Sequence, residues 1–139
     1  MNIKGIAKKI TIAFCSGCIG GITGSLAVWL AGFYGITKAL GVTMEPALSP
    51  DWLYPRLVWG GIWGFLFVLP MLRKSVLRRG VLFSIAPTII QLFVLYPHVM
   101  RQGVMGLGLG ALTPFFVFVF NAVWGITAAL WMRFAGEEA

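Results

Sequence analysis

Four apolar runs constrain what this chain can fold into more than any other feature of its sequence. A helix that crosses a bilayer needs about 20 predominantly apolar residues, and it satisfies its own backbone hydrogen bonds in lipid. Of the 139 residues, 59% are hydrophobic and 11% are charged, which is more apolar surface than a small soluble domain could bury. The sequence therefore predicts one all-α integral membrane domain over residues 1–139. Its four transmembrane helices are expected at residues 10–40, 50–72, 80–96 and 114–134.

Local signals mark two of the helix starts and one expected distortion. Ser49 before Pro50 and Thr113 before Pro114 match an N-cap residue followed by proline at the first helical position. Pro87 lies inside the third run, where its missing N–H should kink the helix. The third run is also short for a bilayer at about 1.5 Å of rise per residue.

The basic residues carry a topology signal. A formal net charge of +7 would suit a nucleic-acid-binding protein, since basic patches bind phosphates. These charges, however, lie in short clusters between the apolar runs, and such clusters set the orientation of a membrane protein. We therefore expect both termini in the cytoplasm, contact with the lipid bilayer, and no nucleic-acid partner. The expected cytoplasmic side holds Lys4, Lys8, Lys9, Arg73, Lys74, Arg78, Arg79 and Arg133, and the outer side holds Lys38, Arg56 and Arg101.

Short similar segments recur in the two halves of the chain. Residues 47–50 are matched by residues 111–114, 64 positions later, and residues 58–60 by residues 123–125, 65 positions later. An internal duplication would make the protein two parallel-repeated helical hairpins, each starting on the cytoplasmic side. In a composition this biased, short matches also arise by chance, so both interpretations stay open.

Small residues form a stripe along the first predicted helix. Their spacing of three and four positions places them on one helical face, where another backbone can approach closely. Such a face predicts either an interface between copies of the chain or packing within one four-helix bundle. The stripe comprises Gly17, Gly20, Gly24, Ala27, Ala31 and Gly35, with a shorter copy at Gly60 and Gly64 in the second helix.

Polar residues inside the apolar runs are candidates for a functional site, because hydrocarbon offers them no water. Ser84, Thr88 and Gln91 share one face of the third helix, and Asn121 lies in the fourth. Gln91 and Asn121 should lie at one depth in the outer half of the bilayer, which predicts an amide hydrogen bond between the two helices. The polar patch either joins the helices or lines a narrow pathway.

Sulfur and imidazole side chains suggest a second kind of site. Cys15 and Cys18 share a face near the cytoplasmic end of the first helix, and two thiolates so placed could hold a soft metal ion. His98, Met100 and Met105 cluster in the outer loop, and these ligand types suit copper. Buried structural cysteines and ordinary interfacial methionines are the alternative interpretation.

The sequence lacks the patterns that catalysis requires, so no catalytic residue is assigned. It has only four acidic residues and one histidine, and no Ser/His/Asp set can be assembled at one depth. The glycine-rich segment 103–110 follows no strand and lacks the lysine of a phosphate-binding loop. We therefore expect a non-enzymatic protein without a cofactor.

Two segments, residues 53–60 and 91–94, resemble parts of small bacterial inner-membrane proteins of unknown function. The resemblance implies a location in the bacterial inner membrane and implies no activity or site residues. With the small-residue faces and the intramembrane amides, it leads us to expect a small channel, a transporter or an accessory subunit of a membrane complex. Such a protein would form a homo-oligomer or bind another membrane protein. The alternative is handling of soft metal ions of the copper or mercury type through the cysteine pair and the outer His/Met cluster.

Overall fold

A computed structural model gives the structure of residues 2–136, while residues 1 and 137–139 lie outside the described part. Over residues 2–136 the chain is all-helical and contains no strand. Three of the described helices are long and apolar enough to cross a membrane, namely Ile3–Phe33, Val76–Val99 and Thr113–Phe134. The architecture is that of a helical membrane protein.

The first helix, α1 (Ile3–Phe33), begins and ends earlier than the predicted run of residues 10–40. The Asn2 side chain accepts a hydrogen bond from Gly5 N at 2.8 Å and so caps the helix start. The helix ends before Gly35, which has a φ of +75°, and Ile36–Ala39 forms a separate short helix, α2. Hydropathy missed the start of α1 because Lys4, Lys8 and Lys9 lower the mean hydropathy of its first residues, and it missed the end because one glycine hardly changes that mean.

The second run forms a helix with two geometries. Helix α3 (Pro50–Gly64) has the predicted cap, since Ser49 Oγ accepts a hydrogen bond from Trp52 N at 3.4 Å. The α-helix is followed by the 3₁₀ turn Phe65–Val68, so the helical part is shorter than the predicted 50–72. At about 1.5 and 2.0 Å of rise per residue, the two parts together span roughly 30 Å. Leu69 is extended, as the residue before a proline favours.

The third run is longer than predicted and changes its helical geometry. Helix α4 (Val76–Ile90) starts behind Ser75, whose Oγ accepts a hydrogen bond from Arg78 N, and continues as a π-helix over Gln91–Val99. The predicted bounds of 80–96 missed the polar first turn and the distal end. The helix is therefore long enough to cross a bilayer although it contains Pro87.

The last helix, α5 (Thr113–Phe134), matches the fourth run apart from its cap. The prediction that Thr113 caps it was wrong, because Leu112 occupies the cap position. The Thr113 hydroxyl instead donates to Gly110 O at 2.8 Å, since the preceding turn offers that acceptor.

Helix α1 lies between two other helices of the bundle. Among the described residues it packs extensively on α3 and α5, α5 packs extensively on α4, and no extensive contact joins α3 to α4. The helices form an open arc in the order α3, α1, α5, α4, with a gap between its two ends. We call the end of the bundle with residue 2 and the connection 69–75 the proximal end, and that with the connections 40–49 and 100–112 the distal end.

The predicted stripe of small residues packs inside the chain. Gly17 contacts Gly60 and Gly64 by backbone, so that a Cβ at Gly17 would lie 2.8 Å from Gly64 Cα. Gly20 meets the backbone of Trp124 of α5 in the same manner, and a Cβ at Gly24 would lie 3.3 Å from Phe120 O and 3.4 Å from Trp124 Cβ. These three glycines of the stripe are thus covered by the chain's own helices.

The last three members of the stripe differ from one another. Ala31 is buried in a cluster with Val28 and Phe116, and Ala27 packs against the same cluster. Gly35 is not part of the packing face: a Cβ there would meet no atom within 4 Å. Its positive φ ends the helix, which turns the residue away from the stripe.

Arg79 joins α4 to the end of α3. It was expected in the cytoplasmic cluster of charges, yet its side chain is 2% exposed. Its Nη2 donates to Phe67 O at 2.6 Å and to Leu69 O at 3.0 Å, and the rings of Phe67 and Phe83 lie 5.5 and 5.7 Å from its guanidinium carbon. Carbonyls at a helix end need donors from outside the helix, and Arg79 supplies them here.

Candidate functional site

Two cavities meet in the distal half of the bundle. The inner cavity, of about 180 Å³, lies in the gap between α3 and α4, and glycines 20, 21 and 24 of α1 form part of its lining. The distal cavity, of about 520 Å³, lies between the bundle and the distal connections. Four residues line both cavities: Arg56, Gln91, Phe120 and Asn121. Three of these four are polar, so the junction of the cavities is a polar site within otherwise apolar helices.

The amide hydrogen bond expected between Gln91 and Asn121 is present. Asn121 Nδ2 donates to Gln91 Oε1 at 3.2 Å and to Thr88 Oγ1 at 3.0 Å, which joins α5 to the α4 segment. Gln91 Nε2 in turn donates to the Tyr96 hydroxyl at 3.5 Å. Three of the four predicted patch residues are therefore one hydrogen-bonded group.

The fourth predicted residue, Ser84, lies apart from this group. Its hydroxyl donates to Val81 O at 2.7 Å within its own helix, and it lines neither cavity. Thr88 makes a similar bond to Ser84 O at 2.7 Å, which leaves its oxygen free to accept from Asn121. Gln91 is where the helix changes from α to π, a change that redirects side chains and often accompanies functional sites.

Arg56 is the residue of this candidate site that the sequence analysis did not place there. It was expected to extend to the outer surface, but its Nε donates to Ser25 Oγ of α1 at 2.9 Å, and its guanidinium carbon lies 4.7 Å from the Trp52 ring centroid. Within residues 2–136 its terminal nitrogens have no hydrogen-bond partner and it forms no salt bridge. An arginine in an apolar run, opposite a serine at similar depth on another run, was the available signal.

The residues described above form what we call the polar cluster: Ser25, Arg56, Thr88, Gln91, Tyr96 and Asn121. Hydrogen-bond donors predominate in it, and one of them carries a fixed positive charge. Glu45 also lines the distal cavity, as an exposed side chain at its rim. The chemistry of the cluster is therefore suited to binding an oxyanion, and it offers neither a nucleophile beside a base nor a pair of carboxylates.

The two predicted soft-metal groups lie on different parts of the bundle. Cys15 and Cys18 lie one turn apart near the middle of α1, where Cys18 contacts Gly61 of α3. His98 is exposed in the distal π-helix, Met100 lines the distal cavity, and Met105 packs on the cluster of Leu92, Tyr96 and Val117. In the part of the chain that the structure describes, no three His, Cys, Asp or Glu side chains are grouped for a metal ion.

Replacing Asn121 with leucine is expected to destabilise the bundle by about 1 kcal/mol, because side-chain hydrogen bonds between membrane helices contribute roughly 0.6–2 kcal/mol. Gln91→Leu should have a similar effect. The double variant should lose less free energy of unfolding than the two single variants lose together, because each single change already removes the shared hydrogen bond. Steric-trap unfolding in micelles measures these free energies.

The matched control for this cycle is Phe118→Leu, which alters an exposed side chain of α5 and should change the free energy of unfolding by less than about 0.5 kcal/mol. Strictly additive effects of Asn121→Leu and Gln91→Leu would show that the amide bond contributes nothing.

Comparison with known proteins yields no match to a family model, to a curated protein or to a solved structure. The polar cluster and its two cavities are therefore the features of this chain that bear on its function.

Proposed function

We propose that this chain is a non-enzymatic membrane protein of the transporter or channel class, or an accessory subunit of a membrane complex, and that the polar cluster is its working site. One observation carries the proposal. An inner and a distal cavity meet at Arg56, Gln91 and Asn121, inside a bundle in which three of the described helices are long and apolar enough to cross a membrane. Polar and charged groups at such depth are costly in lipid and mark ligand or ion pathways.

The proposed topology has four membrane passes, with both termini in the cytoplasm of a bacterial inner membrane. Helix α3 runs beside α1 from the contact of Gly21 with Arg56 and Leu57 to the contact between Gly64 and Ala13. This path supports a fourth pass, although Asp51 and Arg56 lower its apolarity. The excess of lysine and arginine at the proximal end supports the cytoplasmic assignment.

We propose further that the chain is two parallel-repeated hairpins, α1–α3 and α4–α5. Gly17 contacts Gly60 by backbone in the first hairpin, and Gly80 contacts Gly125 by backbone in the second. A Cβ at Gly60 would lie 2.7 Å from Gly17 O, and a Cβ at Gly125 would lie 2.9 Å from Gly80 C. The matched glycines are 63 residues apart on the first helices and 65 apart on the second helices.

The polar cluster obeys the same two offsets. Arg56 of α3 donates to the Ser25 hydroxyl of α1, and Asn121 of α5 donates to the Thr88 hydroxyl of α4. Ser25 and Thr88 are 63 residues apart, and Arg56 and Asn121 are 65 apart. Each hairpin thus contributes one donor and one hydroxyl, so that the working site lies between the proposed repeats.

The two proposed repeats differ at one interface. Trp124 of α5 is buried and donates its Nε1 to Gly17 O of α1 at 3.0 Å. Its counterpart on α3, Trp59, is 55% exposed and lines the inner cavity. Under the proposed repeat, α4 corresponds to α1 and α3 to α5. The gap between α3 and α4 therefore corresponds to the packed interface between α1 and α5.

Self-association or binding to another membrane protein stays a prediction. The glycine faces are covered within the chain, so a second copy would have to use other surfaces. The outward side of α1, with Ile22, Leu26 and Leu30 each at least 37% exposed, offers one such surface.

Thiol accessibility tests the proposed function. In a Cys15→Ser, Cys18→Ser background, Gln91→Cys and Asn121→Cys place single thiols at the junction of the cavities. A membrane-impermeant, negatively charged methanethiosulfonate, added outside right-side-out vesicles, should label both at least about tenfold faster than a thiol surrounded by lipid, because only a hydrated thiol ionises readily.

Phe118→Cys supplies the lipid-facing control, three residues from Asn121 on α5. Labelling of all three thiols at the same slow rate would mean that no aqueous path reaches the polar cluster, and the proposed function would be lost.

A further inference from the structure

We propose that the gap between α3 and α4 binds a membrane phospholipid, with its phosphate on the polar cluster and an acyl chain along the gap. This inference rests on the proposed function in that it names the ligand class of the same site. The observation behind it is that the inner cavity, with its largely apolar lining, and the distal cavity, with more polar side chains, meet at Arg56.

The phosphate end of the site is the distal cavity. Arg56, Gln91 and Tyr96 all line it, and they can present donors to an oxyanion. The terminal nitrogens of Arg56 have no hydrogen-bond partner within residues 2–136, and a guanidinium pairs with phosphate in a two-point geometry. The Tyr96 hydroxyl accepts from Gln91, which leaves its own proton for a ligand.

The acyl end of the site is the inner cavity. Its walls are apolar side chains of α3 and α4, and α1 and α5 close its back. Trp59 is 55% exposed and Ile90 is 38% exposed, so the mouth of the gap faces outward, towards lipid in a membrane. The apolar lining from α3, α4 and the π-helix that continues α4 consists of Pro55, Trp59, Trp63, Pro87, Ile90 and Leu95.

An amphiphile fits both ends, whereas a free anion fits only one. Arg56 lies at the junction of the two cavities. A phospholipid phosphate could therefore stay bound to Arg56 while the acyl chain of the same lipid extends into the inner cavity. Free phosphate would leave the apolar gap unfilled. The contact of the gap with lipid also gives a phospholipid direct lateral access.

Native mass spectrometry of the purified full chain tests the proposal. The probes are phosphatidylglycerol, diacylglycerol with the same acyl chains, and inorganic phosphate. The unaltered protein should retain one phosphatidylglycerol. Arg56→Gln should weaken that binding at least about tenfold, because a charge-assisted hydrogen-bond pair is lost. Lys38→Gln, which removes an exposed distal charge, is the matched control and should bind normally.

A second variant keeps the test independent of Arg56 and of folding. Ile90→Trp adds bulk at the mouth of the gap while leaving the polar cluster unchanged, and it should also reduce phosphatidylglycerol binding. Circular dichroism and thermal unfolding establish that each variant is folded. A folded Arg56→Gln that keeps its lipid would overturn the proposal.

Two further results would also overturn it. If diacylglycerol were retained as well as phosphatidylglycerol, the gap would bind acyl chains without recognising a phosphate. If inorganic phosphate displaced phosphatidylglycerol completely, the site would be one for a free anion. These outcomes are separable from failure of the proposed function, which depends on thiol labelling from water. A protein that binds phosphatidylglycerol through Arg56 but shows no labelling would have the lipid site without the aqueous path.

Discussion

Replacing Gly17 with leucine is expected to prevent α1 from packing on α3 while leaving the helices themselves formed. Gly17 and Gly60 meet by backbone, and a Cβ at Gly17 would lie 2.8 Å from Gly64 Cα, so no rotamer change can make room. Overpacking usually costs about 1–3 kcal/mol, and separating two backbones belongs at or above the upper end of that range. Membrane helices satisfy their own hydrogen bonds, so they should persist after the bundle opens.

Thermal unfolding in micelles is followed by tryptophan fluorescence, which reports tertiary packing, and by circular dichroism, which reports helix content. The tertiary transition should disappear or fall sharply, whereas helix content should remain. Cys15→Leu is the control, because Cys15 is exposed on the same helix two residues away. A Gly17→Leu protein with an unchanged tertiary transition would contradict the observed packing of α1 on α3.

Arg79→Met is expected to destabilise the protein by about 3 kcal/mol. The arginine donates to Phe67 O and Leu69 O, and hydrogen bonds from charged groups contribute about 1.5–3 kcal/mol each. Methionine keeps much of the volume but leaves two carbonyls at the end of the 3₁₀ turn without these donors. Because the charge itself is removed, no unpaired cation remains to add to the loss.

The neighbouring Arg78 provides the matched control, since its side chain is exposed. Arg78→Met should change the free energy of unfolding by less than about 0.5 kcal/mol. Steric-trap unfolding of both variants, with Arg79→Lys as a partial replacement, gives the comparison. Equal stability of Arg79→Met and Arg78→Met would mean that Arg79 acts only as one of the proximal charges.

The sequence predicted the features that depend on one helix alone or on the depth of a residue in the membrane. The helical membrane class follows from the apolar runs, the Ser49 cap follows from local chemistry, and the Gln91–Asn121 bond follows from matched depths. The bounds of α1 and of the third helix were missed because their first turns are polar and their ends depend on caps. These turns carry little hydropathy signal.

The two inward-facing arginines could not be predicted in the same way. A long arginine side chain can reach water from several positions along a helix, so its direction is decided by acceptors on other elements. Ser25 of α1 directs Arg56, and the carbonyls at the end of α3 direct Arg79. Neither acceptor is visible until the helices are packed. Of the six residues of the polar cluster, the sequence therefore predicted only Thr88, Gln91 and Asn121.

The contacts between Arg79 and the 3₁₀ turn after α3 have a consequence for access to the inner cavity. They join α3 to α4 at the proximal end, while the same two helices stand apart around the inner cavity. Along the rest of its length α3 is held on α1 by the backbone contacts of Gly60 and Gly64 with Gly17. The gap is therefore closed at its proximal end, and a ligand reaches the inner cavity either past Arg56 and Gln91 or from the side, between the exposed faces of Trp59 and Ile90.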